Sequence, residues 1–362
     1  MSHLLVALSA HGYGHVAQTA SVVNALRAKL PDLRVTLRST VSPAQLAARF
    51  EGEFSQVSVA TDFGMCMASA VDVLVEESAQ AYVEFHHHWD DKVRSEAYAL
   101  TALTPDLILA NVPYLTLAGA AEAGIPSVAL CSLNWADIYL HYCGHRPEAA
   151  AIHTQMLAAY NSARCFLQTE PHMPMQNMSR LRSIGPVARL GRPRRDEINR
   201  KLGLSARERL VVIAPGGMEL PLPIDSWSRL PQVRWLVPAA WRVTHPDAIS
   251  IESLGMHFMD ILCSSDALVG KPGYGSFAEV ACNAIPMLYV KRHDWPEEPY
   301  LVEWLQRHGR SLEIGRMQLE RGDIFDALLT VWALPMQSAV MATGVQQAAD
   351  YLVAELTAVS AQ

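Results

Sequence analysis

The stretch Asp266-Ala-Leu-Val-Gly-Lys-Pro-Gly-Tyr-Gly-Ser-Phe-Ala-Glu-Val-Ala-Cys-Asn-Ala-Ile-Pro286 combines three structural signals. Its first residues form a short apolar run that is typical of a buried strand. A glycine-rich turn follows, and the spacing Ser276-x-x-Glu279 is that of a capping box, which predicts that a helix opens at Ser276. Gly273 and Gly275 lack a Cβ and let the backbone approach a ligand. Because the N–H groups and the positive dipole end of the helix face this turn, the stretch predicts an anion site.

A second unit of the same kind lies near the N-terminus. The apolar run from Leu4 to Leu8 is suited to a buried parallel strand, and His11-Gly-Tyr-Gly-His15 follows it. Apolar residues then recur at helical spacing from Val16 to Leu30. One strand, glycine turn and helix is a weak signal, but one in each half of the chain favours two domains built on parallel sheets.

The bulk composition limits the classes of protein to consider. The chain has 362 residues, which at roughly 100–200 residues per domain suggests two domains. Half of the residues are hydrophobic and 18% are charged, so large cores can form. The formal net charge is −7, and the only dense basic run is the short Gly191-Arg-Pro-Arg-Arg195. We therefore expect no nucleic acid partner.

The sequence also carries little sign of a membrane or an oxidising compartment. It has no apolar run of the ~20 residues that a transmembrane helix needs, and its N-terminus leads directly into the first predicted strand. We expect a cytoplasmic protein without a transmembrane segment. Six cysteines are scattered without a C-x-x-C pair, which argues against a disulfide framework or a structural zinc site. They are Cys66, Cys131, Cys143, Cys165, Cys263 and Cys282.

Apolar runs alternate with helical stretches along the chain, which predicts parallel, doubly wound sheets. A break at Gly185-Pro-Val187 and the basic segment after it mark the boundary between domains. We predict domains at residues 1–187 and 188–340, with a terminal helix in 341–362 that packs back on the first. The segment from Val71 to Leu103 is predicted as one long helix. The predicted strands are Leu4–Leu8, Val35–Ser39, Leu107–Ala110, Ser127–Leu130, Cys165–Gln168, Leu210–Ala214, Val233–Val237, Ala267–Val269 and Met287–Val290.

The order of these motifs resembles the GT-B nucleotide-sugar glycosyltransferases of the family 28 and UDP-glycosyltransferase type. The resemblance rests on Gly12-Tyr-Gly-His15, Gly185-Pro-Val187, Pro215-Gly-Gly217, Lys271-Pro-Gly-Tyr-Gly-Ser276 and Asn283-Ala-Ile-Pro286. Together with Glu297-Glu-Pro299, the first and fourth of these motifs are similar to the glycosyltransferase-like N-terminal half of plant arabinokinases. The kinase half of those proteins has no counterpart here.

The resemblance implies an α/β protein with two Rossmann-like, doubly wound parallel-sheet domains facing a central cleft. The first domain would hold an acceptor, which could be a small molecule, lipid-linked or a protein. The second would hold a nucleotide-diphosphate sugar, most readily a UDP-sugar, as co-substrate. The resemblance implies no further cofactor and no bound metal, since helix dipoles and basic groups stabilise the leaving diphosphate.

The resemblance also implies roles for individual residues. His15 matches the catalytic histidine, which would act as a base on the acceptor hydroxyl, and His11 is its rival. An orienting carboxylate is expected from Asp62, Glu76 or Glu77. The positions that match donor-binding ones are Gly14, Gly216, Gly217, Lys271, Gly273, Tyr274, Gly275, Ser276, Glu279, His293, Asp294, Glu297 and Glu298.

Several of these residues have a plainer alternative. Glu279 could serve only the capping box rather than a ribose. The run His86-His-His88 suggests a metal, but consecutive helical positions point in different directions, so a polar helix face is favoured. Trp135, Tyr139 and Tyr142 could line an acceptor pocket or pack in the core.

The function predicted from the sequence is therefore an inverting glycosyltransferase of the hexosyltransferase type. Two alternatives stay open. One is a nucleotide-sugar 2-epimerase type of isomerase, which shares the fold. The other is a non-catalytic nucleotide-sugar binding or regulatory protein.

Overall fold

A computed structural model of the chain describes residues 2–9, 11, 13–69, 72–214, 222–292 and 294–360. The chain divides into two compact units. The first unit comprises Met1–Ala68, Asp72–Val187 and Thr343–Gln362, and the second comprises Ser69–Val71 and Ala188–Ala342. Each unit is built around its own sheet.

The first unit contains a seven-stranded sheet whose strands all run parallel, in the order β3-β2-β1-β4-β5-β6-β7. Its central strands are fully buried apolar runs, as expected where helices cover both faces. The strands are β1 His3–Leu8, β2 Arg34–Arg38, β3 Ser55–Val57, β4 Leu107–Asn111, β5 Ser127–Cys131, β6 Cys165–Thr169 and β7 Leu181–Ile184.

Helices connect these strands. They are α1 Tyr13–Lys29, α2 Pro43–Ala47, α3 Val75–His86, α4 Trp89–Leu103, α5 Tyr114–Glu122, α6 Trp135–Cys143 and α7 Ala149–Ser162. The prediction of one long helix from Val71 to Leu103 is wrong, because the chain turns sharply between α3 and α4. His88 adopts a left-handed conformation there, with φ 55°, which a continuous α-helix does not accommodate.

The strand order places a topological switch point between β1 and β4. The chain moves outward on one side through β2 and β3 and on the other through β5 to β7. Leu8 at the end of β1 pairs with Asn111 at the end of β4. In open α/β sheets, ligands bind outside the carboxyl ends of the strands at such a point.

The second unit repeats this design with six parallel strands in the order β10-β9-β8-β11-β12-β13. Its switch point lies between β8 and β11, where Ile213 pairs with Val269. The strands are β8 Arg209–Ile213, β9 Val233–Val237, β10 Ala248–Ser250, β11 Ala267–Gly270, β12 Met287–Tyr289 and β13 Ser311–Glu313. The helices are α8 Arg195–Leu202, α9 Phe258–Cys263, α10 Tyr274–Cys282, α11 Glu298–His308, α12 Arg316–Arg321 and α13 Phe325–Ala333.

The last helix, α14 Thr343–Ser360, belongs to the first unit. Lys29 at the end of α1 forms an ion pair with Asp350 at 2.8 Å, and Arg164 forms one with Glu355 at 2.7 Å. The same helix buries Ala348, Ala349, Leu352 and Leu356. The terminal segment therefore completes the core of the first unit.

The prediction of two doubly wound parallel-sheet domains is confirmed, and all nine predicted strands are present within one or two residues of their expected bounds. All six cysteines are free. Within the residues that the structure describes, no helix is long and apolar enough to span a bilayer.

Candidate functional site

His15 and Asn111 meet at the switch point of the first unit. His15 is the third residue of α1, and Asn111 is the last residue of β4. The Nδ1 atom of His15 lies 2.8 Å from Oδ1 of Asn111, and both side chains are buried. Burial lowers the pKa of His15, and the hydrogen bond to Asn111 partly offsets that effect. The imidazole is therefore held neutral, which is the form that can accept a proton.

The partner of His15 differs from the expected one. The sequence suggested a carboxylate from Asp62, Glu76 or Glu77, but the group on Nδ1 is a neutral amide. Glu76 instead forms an ion pair with Arg146. Sequence reasoning missed Asn111, although a signal existed. Asn111 directly follows the predicted strand Leu107–Ala110, and a polar residue there lies at the same carboxyl edge of the sheet as the turn after β1.

Asp62 is hydrogen-bonded to Trp135, the aromatic residue that borders the two histidines. Its Oδ2 accepts a hydrogen bond from Nε1 of Trp135 at 2.9 Å. The rings of His11 and His15 lie 4.9 Å and 5.9 Å from that of Trp135, measured between centroids. Burial raises the pKa of Asp62 to about 7, against smaller lowering effects of the hydrogen bonds from Trp135 and Ser9. Trp135 thus touches both candidate bases and a buried acid.

The aromatic residues considered for an acceptor pocket lie in the core. Trp135, Tyr139 and Tyr142 are all buried, and Tyr139 packs against Tyr82 with 4.5 Å between ring centroids. This supports the core alternative for these side chains.

His86 does not form part of a polar helix face, so that expectation is wrong for this residue. It is buried, with Nδ1 2.7 Å from Oε1 of Gln155 and Nε2 3.0 Å from the hydroxyl of Tyr114. Its ring stacks on Trp89 at 4.8 Å. Burial lowers the pKa of His86 to about 4, so it serves as a neutral, hydrogen-bonded core residue. Across the described residues, no group of three or more His, Cys, Asp or Glu is placed to hold a metal.

In the second unit, the turn after β11 leads into α10 as predicted, but the capping box is wrong. The helix begins at Tyr274, two residues before the predicted start, and its N-cap is Gly273 in an extended conformation with no side-chain cap. Ser276 lies inside the first turn instead of before it. The first turn of a helix leaves N–H groups without intrahelical acceptors, so Gly275 and Ser276 present donors at this end.

Space lies in front of two of the glycines. A Cβ built on Gly273 would meet no heavy atom of the described residues within 4 Å, and the same holds for Gly14 in the first unit. Both glycines precede or open a helix that follows a central strand. These are the positions at which a ligand can approach the backbone most closely.

Glu279 lies one turn further along α10 and is buried, with 7% of its surface exposed. Burial raises the pKa of the neighbouring Cys282 thiol to about 12, and the charge of Glu279 adds to this. A contact between Glu279 and a ribose stays a prediction.

Lys271 follows β11 directly and lies near three charged side chains, those of Arg292, Glu297 and Glu298. Burial and the positive charge of Arg292 lower the pKa of Lys271 to about 7, while Glu297 and Glu298 act in the opposite direction. Near neutral pH, the Lys271 amine of the free protein is therefore only partly protonated. An incoming anion would complete its protonation.

Glu298 is already engaged inside the protein. Both of its carboxylate oxygens lie 3.1 Å from the backbone nitrogen of Arg292, and its Oε2 lies 3.4 Å from Nε of the same residue. Arg292 in turn donates from Nη2 to the carbonyl of Pro272 at 2.7 Å and stacks over Trp295. This Arg292 clamp joins the loop after β12 to the loop after β11, which carries Lys271.

The remaining predicted donor residues fall into two groups. Gly216, Gly217 and His293 lie outside the described residues. Asp294 is exposed with φ 59°, and Glu297 is buried and accepts a hydrogen bond from Nε1 of Trp295 at 3.3 Å. Their contacts with a donor sugar stay predictions.

One curated protein is similar to this chain in sequence. No family model matches the chain. A curated relative, L-arabinokinase from Arabidopsis thaliana, is 25% identical over 344 residues, which make up 88% of this chain and 31% of the relative. The chain thus spans about a third of the length of that protein.

Two solved structures share the fold over almost the whole chain. CalG4, the calicheamicin glycosyltransferase, has a TM-score of 0.66 at 17% identity and covers 99% of this chain and 98% of its own. UGT89C1 from Arabidopsis thaliana, complexed with UDP, has a TM-score of 0.58 at 14% identity and covers 98% and 100%. The resemblance inferred from the motifs is confirmed, and the chain has the fold of the GT-B glycosyltransferases.

Proposed function

We propose that the chain is a glycosyltransferase of the hexosyltransferase type. It transfers a sugar from a nucleotide-diphosphate sugar, foremost a UDP-sugar, to an acceptor hydroxyl. The observation that carries the proposal is the buried, neutral His15 at the switch point of the first unit, with its Nδ1 hydrogen-bonded to Asn111. A neutral imidazole with one ring nitrogen bonded can use the other to take the acceptor proton.

In this proposal the acceptor oxygen attacks the anomeric carbon while its proton passes to Nε2 of His15. The bond between that carbon and the diphosphate oxygen breaks in the same step. A single displacement of this kind inverts the configuration of the anomeric carbon. The first unit therefore activates the acceptor, and the imidazolium returns its proton to solvent afterwards.

The second unit holds the donor in this proposal. The N-terminus of α10 offers N–H groups and the positive end of the helix dipole to the diphosphate. Lys271 adds a positive charge once it is protonated, and Glu279 accepts from the ribose hydroxyls. The choice of UDP is supported by UGT89C1, whose structure contains UDP.

The test begins with ligand binding. Thermal unfolding is measured with UDP, GDP and dTDP and with their sugar conjugates. A ligand at a hundredfold excess over its Kd stabilises the folded state by about 2.7 kcal/mol, which is readily detected. No response to any of these compounds would count against the proposal.

The second step measures release of the nucleoside diphosphate in the presence of candidate acceptors, with His15→Gln as the diagnostic variant. Loss of a general base lowers turnover by roughly 10²–10⁴-fold. We expect that loss with unchanged binding of the diphosphate, and His11→Gln serves as the comparison because His11 is the rival base.

A second candidate is a non-catalytic nucleotide-sugar binding protein. Two observations favour it: the partner of His15 carries no charge, and the curated relative bears the name of a kinase instead of a transferase. Binding of a nucleotide sugar without turnover, in both the parent protein and His15→Gln, would select this function.

A further inference from the structure

A chain of hydrogen bonds runs from His15 into the interior of the first unit. Nδ1 of His15 lies 2.8 Å from Oδ1 of Asn111, and Nδ2 of Asn111 donates to Oε1 of Gln18 at 2.9 Å. Nε2 of Gln18 donates to Oγ of Ser132 at 3.2 Å. Each amide uses its oxygen toward His15 and its nitrogen away from it, so all three bonds run in one direction.

The direction of this chain determines where the proton of His15 sits. An amide oxygen only accepts hydrogen bonds, so the nitrogen that faces Oδ1 of Asn111 must carry the hydrogen. The other ring nitrogen, Nε2, then has a free lone pair. The opposite direction would require both amides to rotate by half a turn, and it would leave the hydrogen on Nε2.

We propose that Asn111 is a positioning residue that fixes the Nδ1–H tautomer of His15, and that Gln18 and Ser132 hold Asn111 in the orientation this requires. The inference rests on the proposed function only for the use of the tautomer, since an imidazole with its lone pair on Nε2 is ready to accept a proton there. The tautomer itself is a property of the protein without substrate.

Burial makes this arrangement well defined. Gln18, Asn111 and Ser132 are each at most 3% exposed, so water does not compete for their amide and hydroxyl groups. Buried polar groups are almost always hydrogen-bonded, and a half-turn of one amide alone would oppose two donors or two acceptors. The orientation of each amide therefore depends on the next.

The neutral partner has a second consequence. When His15 takes a proton, the imidazolium faces an amide, which cannot neutralise its charge. Among the described residues, the Cys131 thiol also lies near the ring, with Sγ 3.8 Å from Nδ1, as does Trp135, which donates a hydrogen bond to Asp62. Asn111→Asp supplies a carboxylate at the same atom and raises the pH at which His15 titrates.

The tautomer is measured directly on the full chain by correlating side-chain protons with the ring nitrogens of ¹⁵N-labelled histidine. The signals of His15 are assigned by their loss in His15→Gln. We expect the resonance of a protonated nitrogen at Nδ1 and of an unprotonated one at Nε2. A protonated Nε2 of His15 in the parent protein would overturn the proposal.

Two variants of Gln18 separate orientation from mere packing. Gln18→Glu replaces the amide with a carboxylate, which only accepts and must take the hydrogen from Nδ2 of Asn111. We expect it to keep the Nδ1–H tautomer. Gln18→Met has a similar length but no hydrogen-bonding amide, so Asn111 can rotate and the two tautomers should mix. The same tautomer in both variants would show that Gln18 does not orient Asn111.

Turnover supplies a separate measurement. In Gln18→Met, kcat should fall in proportion to the fraction of His15 in the other tautomer, while KM for the donor stays the same. If the spectra show the expected tautomer and no donor is turned over, the proposed function fails and the positioning role of Asn111 stands. If donor is turned over and Nε2 is protonated, the positioning role fails alone.

Discussion

Glu298 holds Arg292 at two points, through the backbone nitrogen with both carboxylate oxygens and through Nε at 3.4 Å. The two side chains are 6% and 8% exposed, so this is a buried ion pair. Arg292 also contacts the turn after β11, because its Nη2 donates a hydrogen bond to the carbonyl of Pro272, the residue directly before Gly273. The Glu298 carboxylate at the start of α11 therefore constrains the backbone of the turn at which we place the diphosphate.

The first prediction tests this relationship with Glu298→Gln. The change keeps the size of the side chain and removes the negative charge that faces the buried Arg292 guanidinium. Breaking a buried ion pair from one side costs about 3 kcal/mol or more. We expect a loss of that order in the free energy of unfolding, measured in urea, and weaker binding of UDP by calorimetry.

Glu303→Gln is the matched control, since Glu303 lies on the same helix and pairs with Arg307 at the surface. Exposed pairs of this kind contribute at most about 1 kcal/mol. Equal stability and equal UDP affinity in the two variants would show that the Arg292 clamp does not hold the donor turn.

The second prediction concerns Lys271 and pH. Its pKa of about 7 in the free protein would rise when a diphosphate binds beside it, because the ligand favours the charged form. Binding therefore takes up a proton above pH 7, and the affinity falls as pH rises through that value. Calorimetry in two buffers of different ionisation enthalpy measures the uptake, and Lys271→Met should abolish it and weaken binding.

Lys291→Met provides the comparison for Lys271→Met. Lys291 follows the neighbouring strand β12 but is half-exposed and paired with Glu313 at 2.6 Å. It should change neither the affinity nor the proton uptake. If Lys271→Met took up as many protons on binding as the parent protein, the titrating group would be a residue other than Lys271.

The sequence predicted the centres of both sheets and missed their edges. Strands such as β1 and β4 are continuous, fully buried apolar runs, so periodicity alone identifies them. The four missed strands are the outermost in their sheets and have only three or four residues, most of them partly exposed. An edge strand has a neighbouring strand on one side only, and these four are short and partly exposed, so their sequences carry no long apolar run.

The candidate site was predictable to the extent that it is local in sequence. The glycine turns point to His15 as a candidate and place the start of α10 within two residues, because strand, turn and helix are adjacent along the chain. Asn111 is 96 residues from His15, and the contact exists only because β1 and β4 pair in the sheet. The Arg292 clamp likewise depends on how the turn after β12 folds over the turn after β11, which spacing does not encode.

The third prediction concerns the buried acid, Asp62. Its pKa is about 7 when folded and near 3.8 when unfolded, so the folded state binds more protons between these values. The free energy of unfolding should therefore fall as pH rises from about 4 to 7 and level off above. Asp62→Asn removes this dependence and should be more stable at pH 8 by on the order of 4 kcal/mol, with little change at pH 4.

Denaturant unfolding across this pH range measures the effect of Asp62→Asn. The control is Asp91→Asn, since the Asp91 side chain is 65% exposed on α4 and its removal should leave the pH profile of the parent protein intact. A parallel profile for Asp62→Asn and the parent protein would place the pH dependence on another group.

The last prediction is that Gly273→Ser weakens UDP binding without destabilising the fold. Serine is at least as good an N-cap as glycine, so Gly273→Ser should change stability by only a few tenths of a kcal/mol. Its side chain would nevertheless fill the open space before α10, and we expect UDP affinity to fall at least about tenfold, or 1.4 kcal/mol. Gly315→Ser, at the N-cap of α12, is the matched control and should leave affinity unchanged. Full UDP affinity in Gly273→Ser would mean that the diphosphate binds elsewhere.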